Sequence, residues 1–152
     1  MIHTRASSEA KEVIGRELLA DLIPPDTTLQ EPRWDVDVYG LDFIVRTPKA
    51  RYSAELKADF RAHETGNAFI EILSDEYHES QGWAYTSIAQ YLFYLVVETK
   101  ELIIVPMLDI KQFVNIWRKR YPHARGVNPT HTSVGALVPL TELRRMGLRG
   151  WP

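Results

Sequence analysis

Cysteine is absent from the 152-residue chain. That removes disulfides, zinc ribbons and thiol nucleophiles together. Long apolar runs are missing too: nothing approaches membrane-spanning length, and Met1-Ile2-His3-Thr4-Arg5 lacks the apolar core of a signal segment. A cytoplasmic protein with no membrane partner is the expectation. No internal repeat or low-complexity tract is visible. The histidines His3, His63, His78, His123 and His131 show no metal-ligand spacing; His63-Glu64 and His78-Glu79 read as exposed loop pairs. No serine occupies a nucleophile-elbow context, which leaves a Ser–His–Asp triad without support. Gly126 does not sit in a phosphate-cradling loop, so ATP use is equally unsupported.

What is present suits one folded domain, residues 1–152. The hydrophobic fraction is 45% with 11% aromatics, enough to build a core and to exclude disorder. Net charge is only −2, but its distribution is uneven. Residues 1–76 carry 9 Lys/Arg against 15 Asp/Glu, whereas residues 77–152 carry 9 against 5. From Lys111 onward there are eight basic residues and one acid, Glu142. Carboxylates at a centre with cations around it is the layout for a metal ion acting on a nucleic-acid backbone. Arg118-Lys119-Arg120 fits that periphery as a nucleic-acid contact, and fits equally the last turn of a helix, where cations favour the dipole.

The chemistry concentrates in two segments. Tyr52, Ala54, Leu56, Ala58 and Phe60 alternate strictly with Arg51, Ser53, Glu55, Lys57 and Asp59, the period of a half-buried β-strand with one wet face. Glu55 and Lys57 then project side by side. Asp42 begins the strand-like run Leu41-Asp42-Phe43-Ile44-Val45-Arg46, which ends at a turn signal around Pro48. A hairpin between the two brings Asp42 beside Glu55. Two carboxylates and a lysine at one sheet end can hold a hard divalent cation and act on a phosphodiester.

The stretch from Asp42 to Lys57, continued by Thr65-Gly66-Asn67-Ala68-Phe69-Ile70-Glu71, resembles the PD-(D/E)XK nuclease superfamily. The likeness is to small phage-type nucleases and, more loosely, to archaeal Holliday-junction resolvases; it spans roughly residues 8 to 106. Gly82-Trp83 and Thr86-Ser87 resemble the phage-type branch in particular. The resemblance assigns Asp42, Glu55 and Lys57 as catalytic, with Asp42, Glu55 and the Leu56 carbonyl on Mg²⁺, for which Mn²⁺ substitutes. Leu41 stands where the family has a proline, and Asp35 and Asp37 in Trp34-Asp35-Val36-Asp37-Val38 are rivals for the aspartate role. An acid on the first helix, Glu12 or Glu17, would complete such a site, although both also read as solvated helix residues.

The implied fold is α/β, a restriction-endonuclease-like α-β-β-β-α-β core with a mixed central sheet flanked by helices. The pattern predicts a helix from Ser7 or Ser8 to about Leu22, with Ala10, Ile14, Leu18 and Leu22 on one face, ended by Pro24-Pro25. Strands are predicted near 33–39, 41–47, 51–60 and 67–73, a short helical turn between Asp75 and Gln90, and strands at 91–97 and 102–105. Asp109 to Tyr121 reads as a helix, 122–135 as a long loop, and Ala136–Leu140 as a last strand. Residues 107–152 read as a basic extension of a core at about 8–106.

The implied function is a metal-dependent DNA endonuclease working in recombination, repair or phage DNA processing. The alternative is a non-catalytic nucleic-acid-binding or assembly module on the same fold. Asn67 can touch phosphate or stabilise a turn. Trp83 and Tyr85 can stack on an unpaired base or anchor the core. Gln90 and Tyr94 match a spacing seen in exonuclease-like relatives, but Tyr94 falls inside an expected strand. A domain with one nuclease site often pairs to cut both strands, so a homodimer is an expectation by fold-level analogy.

Overall fold

Proline has no amide hydrogen to continue a helix, and Pro24 and Pro25 follow one residue after the end of α1 (Arg5–Leu22). The structure, a computed structural model, describes residues 5–32 and 42–152, with side chains from residue 10 onward in the first segment. The strand expected over 33–39, with Asp35 and Asp37, lies outside the described residues. The buried face of α1 runs through Gly15 and Leu19; Val13 and Ile14 stay largely exposed. The reason is close approach. A Cβ on Gly15 would lie 2.7 Å from the Ala58 Cβ, so the missing side chain lets the helix backbone settle on the strand below.

The strands β1 (Thr28–Gln30), β2 (Phe43–Arg46) and β3 (Arg51–Asp59) form an antiparallel meander. The β2–β3 turn closes where Pro48 predicts it: Thr47 N–H donates to the Ala50 carbonyl at 2.8 Å, and the Thr47 hydroxyl accepts from the Lys49 and Ala50 amides. After β3 come α2 (Ala62–Thr65), β4 (Asn67–Asp75), β5 (Ser80–Gln81) and α3 (Trp83–Thr86). The chain then returns to the first sheet as β6 (Tyr91–Val96), parallel to β3, and β7 (Glu101–Pro106), antiparallel to β6. The sheet order is β1-β2-β3-β6-β7. β6 is apolar throughout because both its faces are covered.

The last third comprises α4 (Met107–Arg120), β8 (His123–Val127), β9 (Thr132–Pro139) and α5 (Leu140–Met146). With β4 and β5 these strands form a second sheet, antiparallel throughout, in the order β5-β4-β9-β8. The described chain is thus mixed α/β, with one mixed sheet, one antiparallel sheet and five helices. The sequence reading expected a single central sheet, and the strand near 67–73 belongs instead to the second. Residues 122–135 are not a long loop. They form most of a hairpin turning at Asn128–His131. Residues 107–152, set apart in the sequence by charge, supply half of the second sheet.

Each face of the mixed sheet has its own core. Leu19, Phe43, Val45, Tyr52, Ala54, Phe93 and Ile104 pack on the α1 side. On the other side Leu92, Tyr94, Val96, Ile103 and Val105 meet the second sheet, α3, α4 and α5. The polar face of β3, expected to be wet, therefore looks into the space between two sheets.

Candidate active site

β2 starts with Phe43 paired to Ala54, so the preceding residue, Asp42, arrives beside Glu55. The Asp42 amide donates to the Ala54 carbonyl at 3.0 Å, and the Leu56 amide donates to Asp42 Oδ2 at 2.8 Å. The carboxylate thereby takes the place of a ladder carbonyl at the sheet end. In an extended strand a residue's N–H and C=O leave by the same edge. The Leu56 carbonyl accordingly leaves β3 on the side where Asp42 stands.

Glu55 points to the opposite side from α1, on the face that β6 shares through Leu92 and Tyr94. It is 4% exposed, a rare position for a carboxylate. Its Oε1 lies 3.3 Å from Lys57 Nζ, while Oε2 has no hydrogen-bond partner. Burial pushes the Glu55 carboxyl above the usual glutamate range. The Lys57 ammonium and the buried Ser87 hydroxyl pull against that shift, and the negative charge of Asp42 adds to it. The Coulombic coupling to Asp42 places the two acids within electrostatic reach of each other. Lys57 is held on a second side by the Trp83 ring, 5.7 Å from its centroid.

An orphaned oxygen on a buried carboxylate is costly unless a cation completes it. Asp42, Glu55 and the Leu56 carbonyl form an all-oxygen set, the donor chemistry that Mg²⁺ and Mn²⁺ take. Among the described residues no group of three or more His, Cys, Asp or Glu gathers for a metal. Mg²⁺ commonly uses one or two carboxylates and keeps several waters, so the residues present fit it.

Two cavities meet over Lys57. One of about 480 Å³ lies on the α1 side and is lined by Lys11, Glu12, Arg16, Asp42 and Leu56, among others. Of the first-helix acids, Glu12 thus borders the site; it pairs with Arg16 at 3.3 Å. Glu17 is exposed and lines neither cavity. The other cavity, about 490 Å³, opens between the two sheets and shares Lys11, Lys57, Ala58 and Phe60 with the first. Asn67 lines it, with its amide bonded to the Thr65 hydroxyl.

Trp83 is 6% exposed. Its ring is committed to Lys57 and the core, so a base cannot stack on it without displacing the lysine; Tyr85 bonds Asn115 at 2.7 Å. Arg118, Lys119 and Arg120 are exposed in the last turn of α4 and line neither cavity. Gln90 is occupied in a reciprocal pair with Ser53: its side-chain oxygen accepts from the Ser53 amide, and its amide donates to the Ser53 hydroxyl. His78 pairs with Asp75 at 2.7 Å rather than with Glu79, and His63 faces Glu64 at 3.6 Å.

The sequence reading missed several supports. The Tyr94 hydroxyl donates to Asp59 and accepts from the Phe69 amide, joining the two sheets beside Lys57. Asp59 also accepts from the Arg61 and Ala62 amides, both at 2.8 Å, which fixes α2. The Trp83 amide donates to Glu71 at 3.3 Å. Asp59, Glu71, Tyr94 and Ser87 each stand in a stretch the sequence singles out, but none is marked there as a support of Lys57 or Glu55. Comparison with protein-family models, with curated proteins and with solved structures found no match.

Proposed function

We propose that this chain is a Mg²⁺-dependent DNA endonuclease of PD-(D/E)XK type, hydrolysing phosphodiester bonds in recombination, repair or phage DNA processing. The observation that carries the reading is the unpartnered oxygen of Glu55, buried next to Asp42 and pinned to Lys57. Lys57 and Ser87 engage this carboxylate and still leave acceptor capacity on it, which a metal ion would use. The topology adds support. α1, the β1-β2-β3 meander, α2 and β6 parallel to β3 follow the α-β-β-β-α-β order of the resembled superfamily's core, with β4, β5 and α3 inserted before β6.

The bound ion would neutralise charge building on the phosphate oxygens and polarise a water. Asp42, held by the Leu56 amide, and Glu55, held by Lys57 and Ser87, are set before any ligand arrives, so little reorganisation is needed. Lys57 projects its ammonium beside the Glu55 carboxylate into the junction of both cavities. There it orients the attacking water or balances the charge of the pentacovalent phosphate. Trp83 restricts its swing.

Supercoiled-plasmid nicking with Mg²⁺ or Mn²⁺ tests the reading. Lys57→Ala is expected to lower the rate by about 10²-fold or more, with folding kept and DNA binding weakened far less than the rate. Full nicking by that variant removes Lys57 from the chemistry, and no nicking by the parent protein rejects the proposal.

A further inference from the structure

The cavity between the sheets goes beyond what the metal site needs, and it constrains what can reach Lys57. One wall is the end of β3, with Lys57 and Asp59; the other is the second sheet, with Asn67, Phe69, Ala124 and Gly126. At about 490 Å³ the cavity has the size of a small-ligand site, room for a nucleotide or two and not for a duplex.

The chemistry of the walls is that of a strand-binding channel. The Lys57 and Arg61 side chains reach it, and Lys11 stands at its mouth over the Phe60 ring, 5.5 Å from the centroid. The acids in the same space are already engaged, Asp59 by Tyr94 and two amides, Glu71 by the Trp83 amide. Counted by formal charge, four cations line the space, Lys11, Lys57, Arg61 and Arg125, against the two acids; Lys57 also pairs with Glu55 and Arg125 with Glu76, so Lys11 and Arg61 are the cations left to meet a phosphate backbone. Phe69 is half-buried and lies against Gly135, where a Cβ would come within 2.6 Å of its ring. With Phe60 it leaves ring surface toward the cavity, and exposed aromatic faces hold unpaired bases without regard to sequence.

We infer that this inter-sheet cleft binds one unpaired DNA strand, so that the substrate of the site is single-stranded or locally unpaired DNA and not intact duplex. The inference rests on the nuclease reading for the cleavage it directs, but the binding stands apart from it. The probes are a short fluorescein-labelled single-stranded oligodeoxynucleotide and the blunt duplex of the same sequence. Binding is read by anisotropy in EDTA, and cleavage is read with Mg²⁺. The expected result is single-strand binding about tenfold or more tighter than duplex, as one or two base stacks would give.

Arg61→Glu, on an exposed side chain, is expected to weaken single-strand binding about five- to tenfold with melting unchanged. Phe69→Leu keeps an apolar side chain in place and is expected to weaken it by a similar factor. Preferential single-strand binding without cleavage of any probe keeps the cleft and rejects the nuclease. Equal binding of both probes, no binding at all, or Arg61→Glu and Phe69→Leu both binding like the parent overturns the cleft.

Discussion

Glu55→Gln separates stability from function in a way the geometry fixes in advance. The substitution keeps shape and one oxygen for Lys57, and removes a buried charge whose second oxygen has no partner. Holding that ionised oxygen buried without a partner costs about 1–3 kcal/mol, and the neutral amide nitrogen that replaces it, itself an unmet donor, gives back only part of that cost. The Lys57 pair it weakens has a lysine side chain 38% exposed, so less than about 1 kcal/mol is lost there. The metal-free variant should therefore gain roughly 1 kcal/mol, or about 2–4 °C in Tm for a chain of this length.

The sign with pH follows from the raised carboxyl. Above that raised value the parent carries the ionised, desolvated group and is at its largest disadvantage to the variant. As pH falls through the raised value toward the ordinary 4.5, the folded parent takes up the proton more readily than the unfolded chain and the gap closes. On the proposed metal site, Mg²⁺ is expected to reverse the order at neutral pH: at a hundredfold excess over Kd it would stabilise the parent by about 2.7 kcal/mol and the variant far less. Differential scanning fluorimetry with EDTA or Mg²⁺, at neutral pH and near pH 5, reads all of this. A metal-free Glu55→Gln that melts below the parent, or equal Mg²⁺ shifts in both proteins, refutes the reasoning.

Tyr94→Phe removes the hydroxyl joining Asp59 to the Phe69 amide, leaves both without that partner, and should cost about 1–3 kcal/mol in urea unfolding. Gly82→Ala forces a Cβ to within 2.4 Å of the Glu71 carbonyl oxygen, which is backbone and cannot swing aside. That variant should lose about 1–3 kcal/mol and, because Trp83 shifts with its neighbour, nick plasmid more slowly even at temperatures where it remains folded.

Local pattern revealed the β2–β3 hairpin and its acids, because alternation from Arg51 to Asp59 and the signal at Pro48 are short-range facts. The burial of Glu55 was not legible: period 2 distinguishes two faces of a strand but does not say that a second sheet covers the polar one. β8 escaped notice for a related reason. His123-Ala124-Arg125-Gly126-Val127 has little apolar alternation, and its order comes from pairing with β9 across the turn at Asn128. On α1 the apolar spacing pointed to Ile14, whereas the contact is made by Gly15, whose value lies in the side chain it lacks. Asp59, Tyr94 and Glu71 look like ordinary strand residues in one dimension, and only the packing of the sheets brings them to Lys57.

The central claim is that Asp42 and Glu55 share one divalent ion. Mn²⁺ binding followed by electron paramagnetic resonance, on the parent, Asp42→Asn and Glu55→Gln, addresses it without any substrate. The account predicts one Mn²⁺ per chain in the parent and an affinity at least about tenfold weaker in each variant; binding of equal strength in all three proteins, or none in the parent, contradicts it.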